Sequence, residues 1–235
     1  MSGRDLSLHP RVEDTRDKKV IEPVIQFPLV EIRERFDKTI LDIENQFDLA
    51  ALLIEEEKVD SAKEIYRSQI VFLESALDFY IHEISKYGVI SIFTKRWSKT
   101  EKYNNFKIPM SVFETGIRNP ESTSWLAEYL NSRFSVEVYL SSESMKDQLN
   151  MLGLCFHSIM ETAFPIPSNP DEPYKEGKII VKELFERRNQ IAHQSDRKHA
   201  TAERNDISKE YVQKCISDVK KLVEAIHNAA LNRTP

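Results

Sequence analysis

An all-α bundle of four to five long helices, interrupted by an irregular mid-chain insertion, is the fold class this sequence predicts. Three observations carry the prediction. Apolar side chains recur at intervals of three and four residues over long stretches, the period of an amphipathic helix. Glycine is scarce, 5 in 235 residues, whereas sheet turns and phosphate-cradling loops spend glycine freely; a P-loop or dinucleotide-binding fold is thereby excluded. Proline falls outside the periodic stretches, most densely at Pro165, Pro167, Pro170 and Pro173, where it enforces a loop.

Residues 1–28, rich in charge and containing Pro10, Pro23 and Pro28, read as an N-terminal arm whose cluster Val20, Ile21, Val24, Ile25 and Phe27 suits a packing strap. Residues 29–235 read as one helical domain. Ile32, Phe36, Ile40, Ile43, Phe47, Ala50 and Ile54 mark a first helix from Leu29 to about Glu57. Ala62, Tyr66, Ile70, Leu73, Leu77, Tyr80 and Ile84 mark a second, with Gly88 as its stop, and the short charged link between them predicts an antiparallel hairpin. Residues 88–140 form the insertion: Val89–Phe93 and Phe134–Leu140 have strand-like character around a short helical pattern at Ser122–Arg133. After Ser144 as N-cap, Met145, Leu149, Leu152, Phe156, Ile159 and Ala163 predict a third long helix. A helix over Tyr174–Ala192, a polar link, and a closing helix capped by Ser208 with the seam Val212, Ile216, Val219, Val223, Ile226 and Ala230 complete the chain.

Composition narrows the function classes. With 33 basic and 38 acidic residues the net charge is −5, which excludes nucleic-acid binding over the whole surface and leaves room for a local basic site. Cys155 and Cys215 occupy apolar helical positions and read as buried thiols, with neither a disulfide framework nor a zinc site indicated. No apolar run suggests a leader or a membrane span, so a cytoplasmic protein without a membrane partner is expected.

The segment from Glu186 to Arg197 holds the residues that metal-free phosphodiester cleavage requires. A guanidinium such as Arg188 can grip a phosphate with two hydrogen bonds, and an imidazole such as His193 can move protons at the attacking 2′-hydroxyl or the leaving oxygen. The competing reading is a solvated helix end at which His193 complements the dipole.

Arg188-Asn189-Gln190-Ile191-Ala192-His193 resembles the signature of the HEPN superfamily: an Arg, a polar residue, then a His four to six positions beyond the Arg. The earlier helix Arg67–Tyr80, the run Ile108-Pro-Met-Ser-Val-Phe113 and the later Trp125-Leu-Ala-Glu-Tyr129 are similar to the RiboL-PSP-HEPN branch, over roughly residues 60–230. The resemblance implies a HEPN-like helical bundle acting as a homodimer, an endoribonuclease needing no metal or other cofactor, and a place in toxin–antitoxin or antiphage defence under a restraining antitoxin or sensor protein. It makes Arg188 and His193 the catalytic pair, with Asn189 as the polar neighbour that orients substrate. The alternative is a HEPN-type module that binds RNA or protein without cutting. Where toxins paired with a nucleotidyltransferase carry Tyr two residues after the His, this chain has Ser195, which puts that form of regulation in doubt.

Geometry adds a constraint. Five residues at about 100° each leave Arg188 and His193 about 140° apart on an ideal helix. Either the helix breaks before His193, or two chains share one cleft. Two further groups stand out. Glu74, Asp78 and His82 form a polar stripe; as a metal site with His193 it competes poorly with an ordinary polar face, and the resemblance makes Asp78 or Glu74 the residue holding Arg188. Lys95, Arg96, Lys99, Lys102 and Lys107 interleave with Trp97, Tyr103 and Phe106, a pattern suited to single-stranded RNA or equally to an insertion with a solvated surface. Arg197 and Lys198 supply a second set of phosphate contacts.

Overall fold

The structure is a computed structural model that describes residues 25–165, 172–198 and 200–235. The expected arm lies outside the described residues up to position 24, as does 166–171 of the Pro-rich loop. The described residues form nine helices: α1 (Leu29–Glu55), α2 (Val59–Phe93), α3 (Glu101–Asn104), α4 (Met110–Arg118), α5 (Ser124–Phe134), α6 (Ser142–Met151), α7 (Phe156–Ala163), α8 (Glu172–Gln194) and α9 (Lys209–Leu231). Among them no strand occurs, and none is long and apolar enough to cross a membrane.

The four long helices, α1, α2, α8 and α9, are those the periodicity marks out. α1 and α2 pack as the expected hairpin, and α2 also meets α5, α6, α8 and α9, which makes it the axis of the bundle. Every predicted seam residue of α2 and α9 is buried, and so is that of α1 from Ile32 to Ala50; Ile54, expected on the same seam, is exposed in the last turn of α1, beyond the reach of the shared core. The predicted cap of α9 is present, with the Ser208 hydroxyl accepting from the Tyr211 amide at 3.2 Å.

Three expectations are corrected by the packing of two glycines and a cap. Gly88 does not stop α2, which continues through the strand-like Val89–Phe93 to Phe93. A Cβ on Gly88 would stand 2.8 Å from both Leu152 and Trp97, so this glycine permits close side-chain approach inside a helix. The third long helix is instead two, α6 and α7. Gly153 adopts φ 74 after α6, and the bonds Leu154 N to Leu149 O (2.9 Å) and Gly153 N to Asn150 O (3.0 Å) close a Schellman turn. The cap of α6 is Ser141, whose hydroxyl accepts from the Ser144 amide. The six predicted seam residues of that stretch are nonetheless all buried, now contributed by both pieces. Residues 135–140 carry no strand, and Cys155, expected inside, is exposed at the start of α7.

Candidate active site

α8 presents a buried stripe of Gly177, Val181 and Leu184, and continuing the 3.6-residue period places Arg188 and Ile191 next on that face. Arg188 is therefore turned toward α2, where it lies close enough to the buried Glu74 for their charges to interact. Its Nη1 donates to Asn189 Oδ1 at 3.0 Å. Among the described residues its buried Nε has no partner, and neither has Glu74 Oε2.

α8 runs unbroken through His193 to Gln194, which removes a helix break before His193 as the solution to the angular mismatch. The break comes after the motif, where Ser195 and Asp196 take φ values of 50° and 57°. His193 thus sits exposed on the last turn, beside Asn189 on the outward face and away from Arg188.

Burial leaves Glu74 1% exposed and pushes its carboxyl up to about 8; Arg188 opposes this shift and Asp78 reinforces it. A neutral Glu74 leaves the Arg188 cation uncompensated and able to accept a phosphate. A stability consequence follows. Unfolded, this glutamate releases its proton near the ordinary value of 4.5, whereas folded it retains it to about pH 8, so its contribution to stability falls as pH rises between those values. Glu74→Gln cannot ionise and is expected to lessen the fall, seen as converging urea midpoints at pH 5 and pH 8. An equally steep decline in wild type and variant would assign the effect to other groups.

Asp78 does not hold Arg188. Its Oδ1 accepts from the Tyr139 amide at 3.1 Å and lies 3.5 Å from His82 Nε2, fastening the segment after α5 to α2.

The residues that sequence reasoning missed lie just past the motif. Asp196 is fully buried and accepts from Arg67 Nε at 2.7 Å, from both terminal nitrogens of Arg187, and from Asn205 Nδ2 at 3.1 Å. The Arg67 guanidinium also donates to Asn205 O and that of Arg187 to Asp206 O. The Asp196 amide donates to Gln190 O at 2.9 Å, closing the end of α8. One carboxylate thus joins α2, α8 and the link to α9. A signal was present: Arg67 and Glu74 stand seven residues apart on an inward stripe of α2, and charged residues are seldom buried unless paired.

The basic segment after α2 separates into different roles. Trp97, expected to stack on RNA, is 5% exposed; it packs edge-on against Tyr87 and over Gly88, so no base reaches its face. Lys102 is paired with Asp147 at 2.6 Å. Lys95, Arg96 and Lys99 are exposed, with Arg96 lying over the Tyr87 ring, and Tyr103 is half-buried. All follow the far end of α2, 19 residues beyond Glu74 and so about 28 Å along the helix. Arg197 and Lys198 are exposed in the turn beyond Asp196, and Arg197 Nη1 donates to Ala202 O.

Compared with models of known protein families, the chain matches RiboL-PSP-HEPN over residues 34–232. No curated protein and no solved structure matches it.

Proposed function

This chain belongs to the RiboL-PSP-HEPN family, and from that premise we propose that it is a metal-independent endoribonuclease acting as a homodimer in the cytoplasm, in toxin or antiphage defence. HEPN proteins are generally ribonucleases or RNA-binding proteins. The observation that carries the catalytic reading is the intact Arg188–His193 motif at the end of α8, with an exposed imidazole and a guanidinium set over a neutral, unpartnered Glu74.

In the proposed reaction Arg188 holds the scissile phosphate and the His193 imidazole moves protons. The 2′-oxygen gives up its proton and bonds to phosphorus, and the P–O5′ bond breaks with a proton delivered to O5′. The products are a 2′,3′-cyclic phosphate and a 5′-hydroxyl, and no water is consumed. Asn189, one turn before His193 on the same face, orients substrate. Lys95, Lys99, Arg197 and Lys198 meet the backbone phosphates.

Since α8 stays helical, Arg188 and His193 of one chain point about 140° apart, and the reading that reconciles them is a cleft between two copies of α8 about a two-fold axis. The test mixes an Arg188→Ala chain with a His193→Ala chain, each inactive alone, under conditions that allow exchange. A measurable return of cleavage, persisting in excess EDTA and leaving cyclic phosphate ends, is the expected result. Inactive mixtures combined with a fully active wild-type monomer in sedimentation would remove the shared cleft. Ends bearing 3′-hydroxyls, or activity lost in chelator and restored by metal, would remove the proposed chemistry.

A further inference from the structure

Beyond the far end of α2 the mid-chain helices enclose a cavity of about 420 Å³, within the roughly 300–1,000 Å³ typical of sites for small organic groups. Its walls are apolar, with five rings set among aliphatic side chains: Phe93 from α2, Tyr103 and Phe106 around α3, Phe113 from α4 and Trp125 from α5. Among the described residues no charged side chain lines it; the polar side chains there are those of Asn104, Tyr103 and Trp125. Two walls are held by ring packing, Phe93 edge-on to Trp125 at 5.6 Å and Phe106 beneath the Arg133 guanidinium at 4.4 Å. Phe93 and Phe113 remain 43% and 49% exposed, so much of their ring surface meets solvent.

The surroundings carry the opposite character. Residues 93–118 contain six basic side chains, Lys95, Arg96, Lys99, Lys102, Lys107 and Arg118, against Glu101 and Glu114, in a chain whose net charge is −5. Lys107 directly follows Phe106, Arg118 directly follows Ile117 of the lining, and both are exposed. Lys102 is engaged by Asp147 and Arg96 lies over the Tyr87 ring, which leaves Lys95, Lys99, Lys107 and Arg118 for a ligand. An uncharged apolar interior beside these cations matches a flat heteroaromatic ring carried on a polyanion, whereas a neutral ligand or an apolar protein segment would not engage them. We infer that this pocket takes one unpaired base of the bound RNA, stacked on Phe113 or Phe93 and hydrogen-bonded at its edge by Asn104. The inference rests on the reading of the chain as a protein that acts on RNA. Lying about 28 Å along α2 from the Glu74–Arg188 pair, the pocket engages RNA several nucleotides from the scissile bond, and so governs which RNA is held.

The experiment uses the full-length His193→Ala chain, so that RNA survives the measurement, and a short single-stranded oligoadenylate containing one 2-aminopurine. Wild-type pocket residues are expected to quench the aminopurine and to bind this RNA more tightly than an abasic oligomer with the same phosphates. Phe113→Ala and Asn104→Ala, both at exposed positions, are expected to lose the quench, and Phe113→Ala to weaken binding by about 5- to 150-fold, the range for one lost base stack. Affinity for the abasic oligomer should stay unchanged in both. Equal affinity for abasic and base-bearing RNA overturns the inference, as does an undiminished quench in both variants. Free adenosine binding the pocket as tightly as the oligomer would make it a small-molecule site and also overturn it. Base-dependent binding by the His193→Ala chain together with no cleavage by the wild-type chain would refute only the nuclease reading, and cleavage by the wild-type chain without base-dependent binding would refute only this inference.

Discussion

Replacing His193 by alanine is expected to slow RNA cleavage by about 10²- to 10⁴-fold, the usual cost of losing an essential acid–base group. The imidazole is exposed on the last turn of α8, so its removal opens no cavity and strips no buried partner. Stability should therefore stay within about 0.5 kcal/mol of wild type, and affinity for RNA should change little. Arg188→Lys should also fail, for a different reason: an ammonium cannot reproduce the planar two-pronged phosphate contact, and the inward stripe of α8 leaves no other cation in that position. Single-turnover rates with urea melts on the same samples separate the two effects. Wild-type rates in either variant would move the chemistry to another part of the molecule.

Asp196→Ala is expected to cost about 3–5 kcal/mol of folding stability, the range for removing one partner of a buried ion pair. This is a large share of the roughly 5–15 kcal/mol that holds an ordinary domain together. The reason lies in what is left behind. Arg67 and Arg187 would remain charged at the junction of α2, α8 and the link to α9, with the carboxylate that both donate to removed. Arg187 would keep only the neutral Asp206 O, and Arg67 would keep Asn205 O with the longer, half-exposed contact to Glu64 at 3.2 Å, a weaker counter-charge than the buried carboxylate. Asp196 also stands three residues after His193 and closes the end of α8 through its amide, so the variant should speed amide exchange across the last turn of α8 and residues 195–207. Chemical denaturation measures the first effect and hydrogen exchange the second. A loss below about 1 kcal/mol would mean that the two arginines find other partners in the variant, and that the junction does not depend on this carboxylate.

Much of the bundle was legible in the sequence because helical periodicity is a local property. The stripe Ile32–Ala50 of α1, the stripe Ala62–Ile84 of α2 and the seam of α9 each need only a spacing of three or four, and all three are buried as that spacing demands. Ser208 was legible as a cap for the same reason, since its hydroxyl serves an amide three residues away. The glycines were not. Gly88 and Gly153 look alike in the sequence and both are crowded by other side chains, yet Gly88 stays helical against Leu152 and Trp97 whereas Gly153 takes φ 74 and ends α6. Trp97 was misread on the same ground: cationic neighbours say nothing about whether an indole faces solvent or the core.

The candidate site divides in the same way. The sequence by itself determined that an Arg, an Asn and a His lie at the end of a helix, and that a regular helix holds Arg188 and His193 about 140° apart, because identity and angular offset follow from position alone. Only the tertiary structure decided that the helix continues through His193, that Glu74 and not Asp78 faces Arg188, and that Asp196 gathers Arg67, Arg187 and Asn205 at the helix end. Those choices depend on contacts between segments as much as 129 residues apart. Burial then sets their energetics, since a carboxylate drawn from water must either lose its charge, as Glu74 does, or be met by cations, as Asp196 is.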